Sequence, residues 1–176
     1  MSTGSQCGVE MTLTLDTHTK LKHMTLHFLK YAGKIAEAKK RCDHDALSAI
    51  LLDAFIICLA TANALNVSVG AAIESTGEPD IDSLAKNCAR GYGNDDLFDA
   101  ALIDLVIVAG QMAKSIESTD HLERGNPRAD LEALIVTLSS AVLALNGALG
   151  EPLESRLRSR WAAVEAKSIF HRANAR

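Results

Sequence analysis

ALSAILLDAFIICLATANALNVSV, residues Ala46 to Val69, is the stretch on which the fold turns. It is apolar almost throughout and carries one formal charge, Asp53. Its length raises the question of a membrane span, but Asp53, Asn63, Asn66 and several serines and threonines argue against one. It reads instead as a helix surrounded by other helices. A lone carboxylate in such a helix needs a counter-ion, a metal or a proton, because burying it unpaired is costly. The fold and the chemistry are therefore both to be sought around Asp53.

Outward from this stretch, every long segment carries helical periodicity and none sustains strand alternation. Helices are predicted over Thr19–Arg41, Asp45–Asn66, Ile81–Arg90, Asp95–Ser118, Pro127–Asn146 and Pro152–Arg172. Asn66, Gly91, Gly93, Gly125, Asn146, Gly147 and Gly150 fall at the breaks. Pro127 and Pro152 stand where a first helical turn accepts proline. Asn94 is the expected N-cap of the fourth segment, with Asp95 and Asp96 at its positive end. The segments Ala46–Asn66, Asp99–Ile116 and Leu131–Leu145 are apolar nearly all round and are expected at the centre of a bundle. The composition agrees: 48% of residues are hydrophobic and only 4% aromatic, which suits helices packed through small side chains. At 176 residues, residues 1–18 read as a flexible N-terminal segment and 19–176 as one all-α domain.

The first helix is two-faced. Met24, Phe28, Tyr31, Ile35 and Ala38 point one way, and His23, His27, Lys30, Lys34, Glu37 and Arg41 roughly the other. The two halves of the chain are also alike. YAGKIAEA (Tyr31–Ala38) matches VAGQMAKS (Val108–Ser115), and LLDAFIICLATANALNVSVG (Leu51–Gly70) matches LEALIVTLSSAVLALNGALG (Leu131–Gly150). Alanine- and leucine-rich helices can look alike without common origin. The alternative is a duplicated helical hairpin with pseudo-repeats at about 19–93 and 94–172.

KYAGKIAEA (Lys30–Ala38), ILLDAFIICLATANALNVSV (Ile50–Val69) and DSLAKNCARGYG (Asp82–Gly93) together resemble the MazG-like, all-α nucleoside triphosphate pyrophosphohydrolases. The resemblance covers about Leu26 to Tyr92. With the internal repeat, it implies an all-α bundle of two related hairpins plus short connecting and C-terminal helices. Relatives of this fold commonly dimerise, so a homodimer is expected, although a duplication could meet that need within one chain. In that family, carboxylates in a Glu-Glu-x-x-Glu and a Glu-x-x-Asp motif gather Mg²⁺, which binds the triphosphate and activates water. Here Lys30, Tyr31 and Lys34 take the first motif's acidic positions, Ile50 takes the glutamate of the second, and only Asp53 matches. The expectation is a protein that has lost its metal cluster and needs no cofactor, a non-catalytic nucleotide-sensing or interaction relative. Lys30 and Lys34 are expected to pair with Asp53, or to hold a nucleotide or phosphate. Two alternatives stand beside it. One is an active Mg²⁺-dependent enzyme using Glu37, Asp45, Asp53 and Asp104; the other is a purely structural oligomerisation module.

The remaining motifs are read as structure. Asp95-Asp96-Leu97-Phe98-Asp99 has the DDxxD pattern and Glu117–Asp120 the ExxD pattern, but on one helix they lie about 30 Å apart. Helix-dipole compensation explains the first. His23 and His27, at i and i+4, are weak metal candidates, as is Asp45. Asp43-His44-Asp45 is expected to cap the second helix. The last helix should pack by Leu157, Trp161, Val164 and Ile169, with Arg156, Arg158, Arg160, Lys167, Arg172 and Arg176 in solvent or forming an anion patch. Cys7, Cys42, Cys58 and Cys88 include no CxxC pair, and no apolar leader segment precedes them, so a reducing, cytoplasmic setting is expected. The formal net charge of −4 gives no general attraction to nucleic acid, and no membrane partner is expected.

Overall fold

The computed structural model describes residues 6–73, 80–92, 96–121 and 125–167, with side chains from 17 to 164 within those stretches. Among these residues every regular element is helical. They are α1 (Gln6–Lys40), α2 (His44–Leu65), α3 (Val69–Ala72), α4 (Ile81–Cys88), α5 (Leu97–Asp120), α6 (Pro127–Ala148) and α7 (Leu153–Lys167), with a 3₁₀ turn at Ala89–Gly91. The chain is thus all-α, as its periodicity predicts.

Helices α1, α2, α6 and α5 stand around one core, each packed on the next. Polar contacts fix their directions. Lys39 near the end of α1 pairs with Asp96 and Asp99 at the start of α5, while Lys22 and His18 pair with Asp120 at its end. These two helices are therefore antiparallel. Arg128 at the start of α6 donates to the Leu65 carbonyl at the end of α2 at 2.8 Å, so that pair is antiparallel as well. Fully buried Phe28, Ile35, Leu51, Leu105, Ile135 and Leu138 bring all four helices to the same core.

Local chemistry sets the helix ends. Asp43 caps α2 by accepting from the Ala46 N–H at 2.9 Å, as the Asp-His-Asp motif predicts. Asn66 closes α2 in the left-handed conformation, with φ of 58°. Asn126 caps α6, with Pro127 in its first turn.

Several expectations need correction. Helix α1 begins at Gln6, inside the segment assigned to a flexible terminus. The cap of α5 is Asp96, which accepts from the Phe98 N–H; Asn94 and Asp95 lie outside the described residues. Helix α6 runs past Asn146 to Ala148. The buried Asn146 amide donates to the Val142 carbonyl at 2.8 Å and reaches the Leu51 carbonyl of α2 at 3.4 Å. Gly147 lies within this helix where α4 crosses so closely that an added Cβ would collide with the Ala85 carbonyl, so the crossing requires a residue without a side chain. Finally, α5 is not apolar-buried all round: Ile103, Val106 and Ile107 are exposed, while α1 contributes as fully to the core as its neighbours. Helices α2 and α6 are long and apolar enough to cross a membrane, yet about half of each is buried within the bundle.

Candidate functional site around Asp53

Asp53 sits near the middle of α2, on the flank of that helix that meets α7. Its carboxylate does not pair with Lys30 or Lys34, as the sequence pattern led us to expect. Arg160 takes both oxygens in a fork: Nε donates to Oδ1 at 2.6 Å and Nη2 to Oδ2 at 2.9 Å. A planar guanidinium matches a carboxylate in two parallel bonds, which an ammonium cannot do. The fork is partly sheltered, with the Asp53 side chain 24% and the Arg160 side chain 40% exposed. Asp53 in turn holds the Arg160 pKa above its ordinary value.

Three further contacts hold α7 where Arg160 can reach. The Asp82 carboxylate of α4 accepts from the N–H groups of Leu153 and Glu154 at 2.6 and 3.0 Å, capping α7 from another element. Leu153 is buried beneath it. One turn on, Arg156 donates to the Ser48 hydroxyl at 2.6 Å and to the Ser48 carbonyl at 2.9 Å. The Ser48 hydroxyl in turn donates to the Glu151 carboxylate at 2.7 Å. Arg156 and Arg160, four residues apart, thus present one face of α7 to Ser48 and Asp53. Leu157 packs partly against the core, but Trp161 and Val164 are exposed, contrary to the expectation that they dock the helix. Ile169, Arg172 and Arg176 lie outside the described residues. Arg158 pairs with Glu154, so none of the three described arginines of α7 forms the open anion patch considered from sequence.

On the other side of Asp53 a cleft of about 310 Å³ opens between α1 and α2, lined by Tyr31, Lys34, Glu37, Arg41, Ile50 and Asp53, among others. Tyr31 forms its inner wall. Burial, then the negative charge of Asp53, pushes the phenol pKa up to about 12, so the hydroxyl stays protonated. Lys34 and Arg41 supply two cations at the mouth, with Glu37 between them on the same helix. Lys30 is elsewhere: its ammonium donates to Nδ1 of His27 at 2.7 Å and lies 4.9 Å from the centre of the Tyr31 ring. Because Lys30 can only donate, His27 carries its proton on Nε2 and donates to Nε2 of His23 at 3.0 Å. Burial, Lys30 and His23 together lower the His27 pKa.

The acids considered for a non-standard metal site do not converge. Glu37 and Asp53 line one cleft; Asp45 lies eight residues before Asp53 on α2, about 12 Å along the helix, and lines a separate groove against α7. Asp104 of α5 accepts from the Tyr92 hydroxyl at 2.9 Å. Asp96 and Asp99, from the DDxxD motif, pair with Lys39, and Asp120 with Lys22 and His18. Among the described residues no three histidine, cysteine, aspartate or glutamate side chains are grouped to hold a metal. Cys42, Cys58 and Cys88 are free; burial pushes the Cys58 thiol up to about 12, leaving it a small hydrophobe.

Arg160 is the partner of Asp53 that sequence reasoning missed. The one available signal was the Arg156/Arg160 spacing beside the otherwise unpaired Asp53. Compared with models of known families, with curated proteins and with solved structures, this chain matches none.

Proposed function

We propose that this chain is a MazG-like helical protein in which magnesium chemistry has been replaced by internal ion pairing, leaving a non-catalytic sensor of phosphate-bearing ligands such as nucleotides. The observation that carries this reading is the Asp53–Arg160 fork. The one acid that matches the family's pattern spends both oxygens on a guanidinium. The other matching positions hold Lys30, Tyr31, Lys34 and Ile50, none of which is a hard anionic donor for Mg²⁺. That donor set does not fit the metal cluster.

What the cleft offers instead is a pair of cations, Lys34 and Arg41, with the Glu37 carboxylate between them. Lys34 lies about two turns before Arg41, which stands just past the end of α1, and among the described residues Arg41 makes a 4.0 Å ion-pair contact with Asp43. The volume of about 310 Å³ lies at the lower end of the roughly 300–1,000 Å³ usual for ligand pockets. A phosphate chain entering there would meet both cations and the Tyr31 hydroxyl, while Arg160 keeps Asp53 from repelling it. The antiparallel packing of α1 on α5 and α2 on α6 is the relation a duplicated hairpin would produce, which supports the family reading. On that reading the two hairpins differ at their ends, Asn66 being a left-handed cap and Asn146 helical and buried.

The test is thermal unfolding with ATP, in the presence of Mg²⁺ or of a chelator. We expect ATP to raise the melting temperature equally in both, the rise to disappear in a Lys34→Ala/Arg41→Ala variant, and no pyrophosphate to form. Mg²⁺-dependent release of pyrophosphate from any nucleoside triphosphate would overturn the proposal in favour of an active enzyme. A melting temperature indifferent to nucleotide would leave only the structural-module reading.

A further inference from the structure

His23 and His27 stand one turn apart on the solvent side of α1 and do not line the Asp53 cleft. Their Nε2 atoms approach to 3.0 Å. The rings meet edge-on, at 82° and with centres 4.6 Å apart. The turn that carries them is held from beneath. Thr25, between them in sequence, is buried, and its hydroxyl donates to the Leu21 carbonyl at 2.9 Å. Phe28 is fully buried in the core, and the Tyr31 ring lies 5.9 Å from that of His27. Packing therefore fixes the backbone separation of the two imidazoles, and only their side-chain torsions remain to be set. A chelate needs this: donors whose spacing the protein holds before the ion arrives.

The tautomers are close to those of ligands. His23 accepts on Nε2, so its neutral ring keeps its proton on Nδ1 and aims a lone pair into the gap. The Nε2 proton of His27 fills that gap. A cation entering there takes the place of this proton. Nε2 of His27 releases its proton to water and Nδ1 takes one up, so the exchange is proton-neutral. Lys30, which donates to Nδ1 at 2.7 Å, must then turn away, and its exposed side chain is free to do so.

The 3.0 Å separation also selects the ion. With metal–nitrogen bonds of about 2.0–2.1 Å, it corresponds to an angle at the metal of about 94°. That is the cis angle of a tetragonal or octahedral ion, whereas a tetrahedral ion would spread the nitrogens to about 3.3 Å. Imidazole donors suit transition metals and not Mg²⁺, which takes oxygen. Among the described residues no carboxylate or thiol joins the pair, so water completes the coordination.

We propose that His23 and His27 form a two-imidazole site for a divalent transition metal of tetragonal or octahedral preference, Cu²⁺ or Ni²⁺. The site is separate from the Asp53 cleft and does not depend on what that cleft binds.

The experiment is calorimetric titration of the tag-free, chelator-treated full chain with Ni²⁺, which unlike Cu²⁺ does not oxidise the exposed Cys42 thiol. One ion per chain should bind, more tightly than Zn²⁺. His23→Gln and His27→Gln each leave a single imidazole and should weaken binding at least about tenfold, with unchanged circular dichroism. His44→Gln, at an exposed histidine stacked on Phe98, should leave it unchanged. Lys30→Glu exchanges a competing donor for an acceptor of the Nδ1 proton and should tighten binding about tenfold. No uptake of Ni²⁺, or uptake that survives both His23→Gln and His27→Gln, would overturn the proposal. So would a preference for Zn²⁺, or an affinity indifferent to Lys30→Glu.

Discussion

Replacing Arg160 with methionine removes the fork on Asp53 while keeping most of the stem that packs beneath it. Fully exposed ion pairs contribute about 0–1 kcal/mol, whereas breaking a buried one costs about 3–5 kcal/mol. With its partners 24% and 40% exposed, the Asp53–Arg160 pair falls between these limits. Its two well-aligned short bonds place it above the exposed range, and water access to Asp53 after the substitution keeps it below the buried one. We expect a loss of about 1.5 kcal/mol. In a chain of this size that is a fall in melting temperature of about 3–6 °C. Helix α7 should stay docked, because Asp82 still caps it and Arg156 still holds Ser48. The assay is urea unfolding of Arg160→Met, Asp53→Asn and the double variant. A coupling energy of about 1–2 kcal/mol is expected, since residues in direct contact do not add. A coupling within about 0.3 kcal/mol of zero would refute the reasoning, because the two side chains would then be independent and Asp53 would need no internal cation.

Two further outcomes follow from the packing and the histidine pair. Gly147→Ala should destabilise by about 3 kcal/mol or more in chemical denaturation, because its Cβ would be driven against the α4 backbone at Ala85, which cannot rotate away. An effect under about 0.5 kcal/mol would show that α4 moves freely over α6. His27 has a folded-state pKa below its ordinary 6.5, so the folded protein favours the neutral ring. Its contribution is present above pH about 6.5 and is lost as pH falls below that value, because the unfolded chain takes up the proton first. His27→Gln should therefore lose less melting temperature than the native chain between about pH 7 and pH 5.5. Parallel pH profiles for the two would contradict the Lys30–His27–His23 chain.

Much of the helical frame could be read from side-chain order alone. The apolar period of Ala46–Val69, the cap at Asp43, the proline in the first turn of α6 and the break at Asn66 all act within a few residues. Errors arose where distant segments intervene. The pattern places a helix end at Asn146-Gly147, because both residues favour turns. Yet the helix continues through both, where α4 crosses Gly147 and α2 offers Asn146 a carbonyl. Asn94 was the expected cap of α5, whereas Asp96 takes that place and also pairs with Lys39 of α1.

The same division holds at the site. Sequence by itself determined that Asp53 could not stand alone, because an unpaired charge in an apolar helix is too costly to keep. It also determined that lysines, a tyrosine and an isoleucine occupy the positions where the resembling family keeps acids. Which cation answers Asp53 was decided only by tertiary structure. Lys30 and Lys34 are nearest along the chain, but Lys30 turns to His27 and Lys34 to the mouth of the cleft. Arg160, 107 residues away, arrives on a helix whose start is capped by Asp82 of α4. Helical periodicity is a local property that any window of sequence displays. The choice of counter-ion depends on where a separate helix is anchored, and no local pattern encodes that.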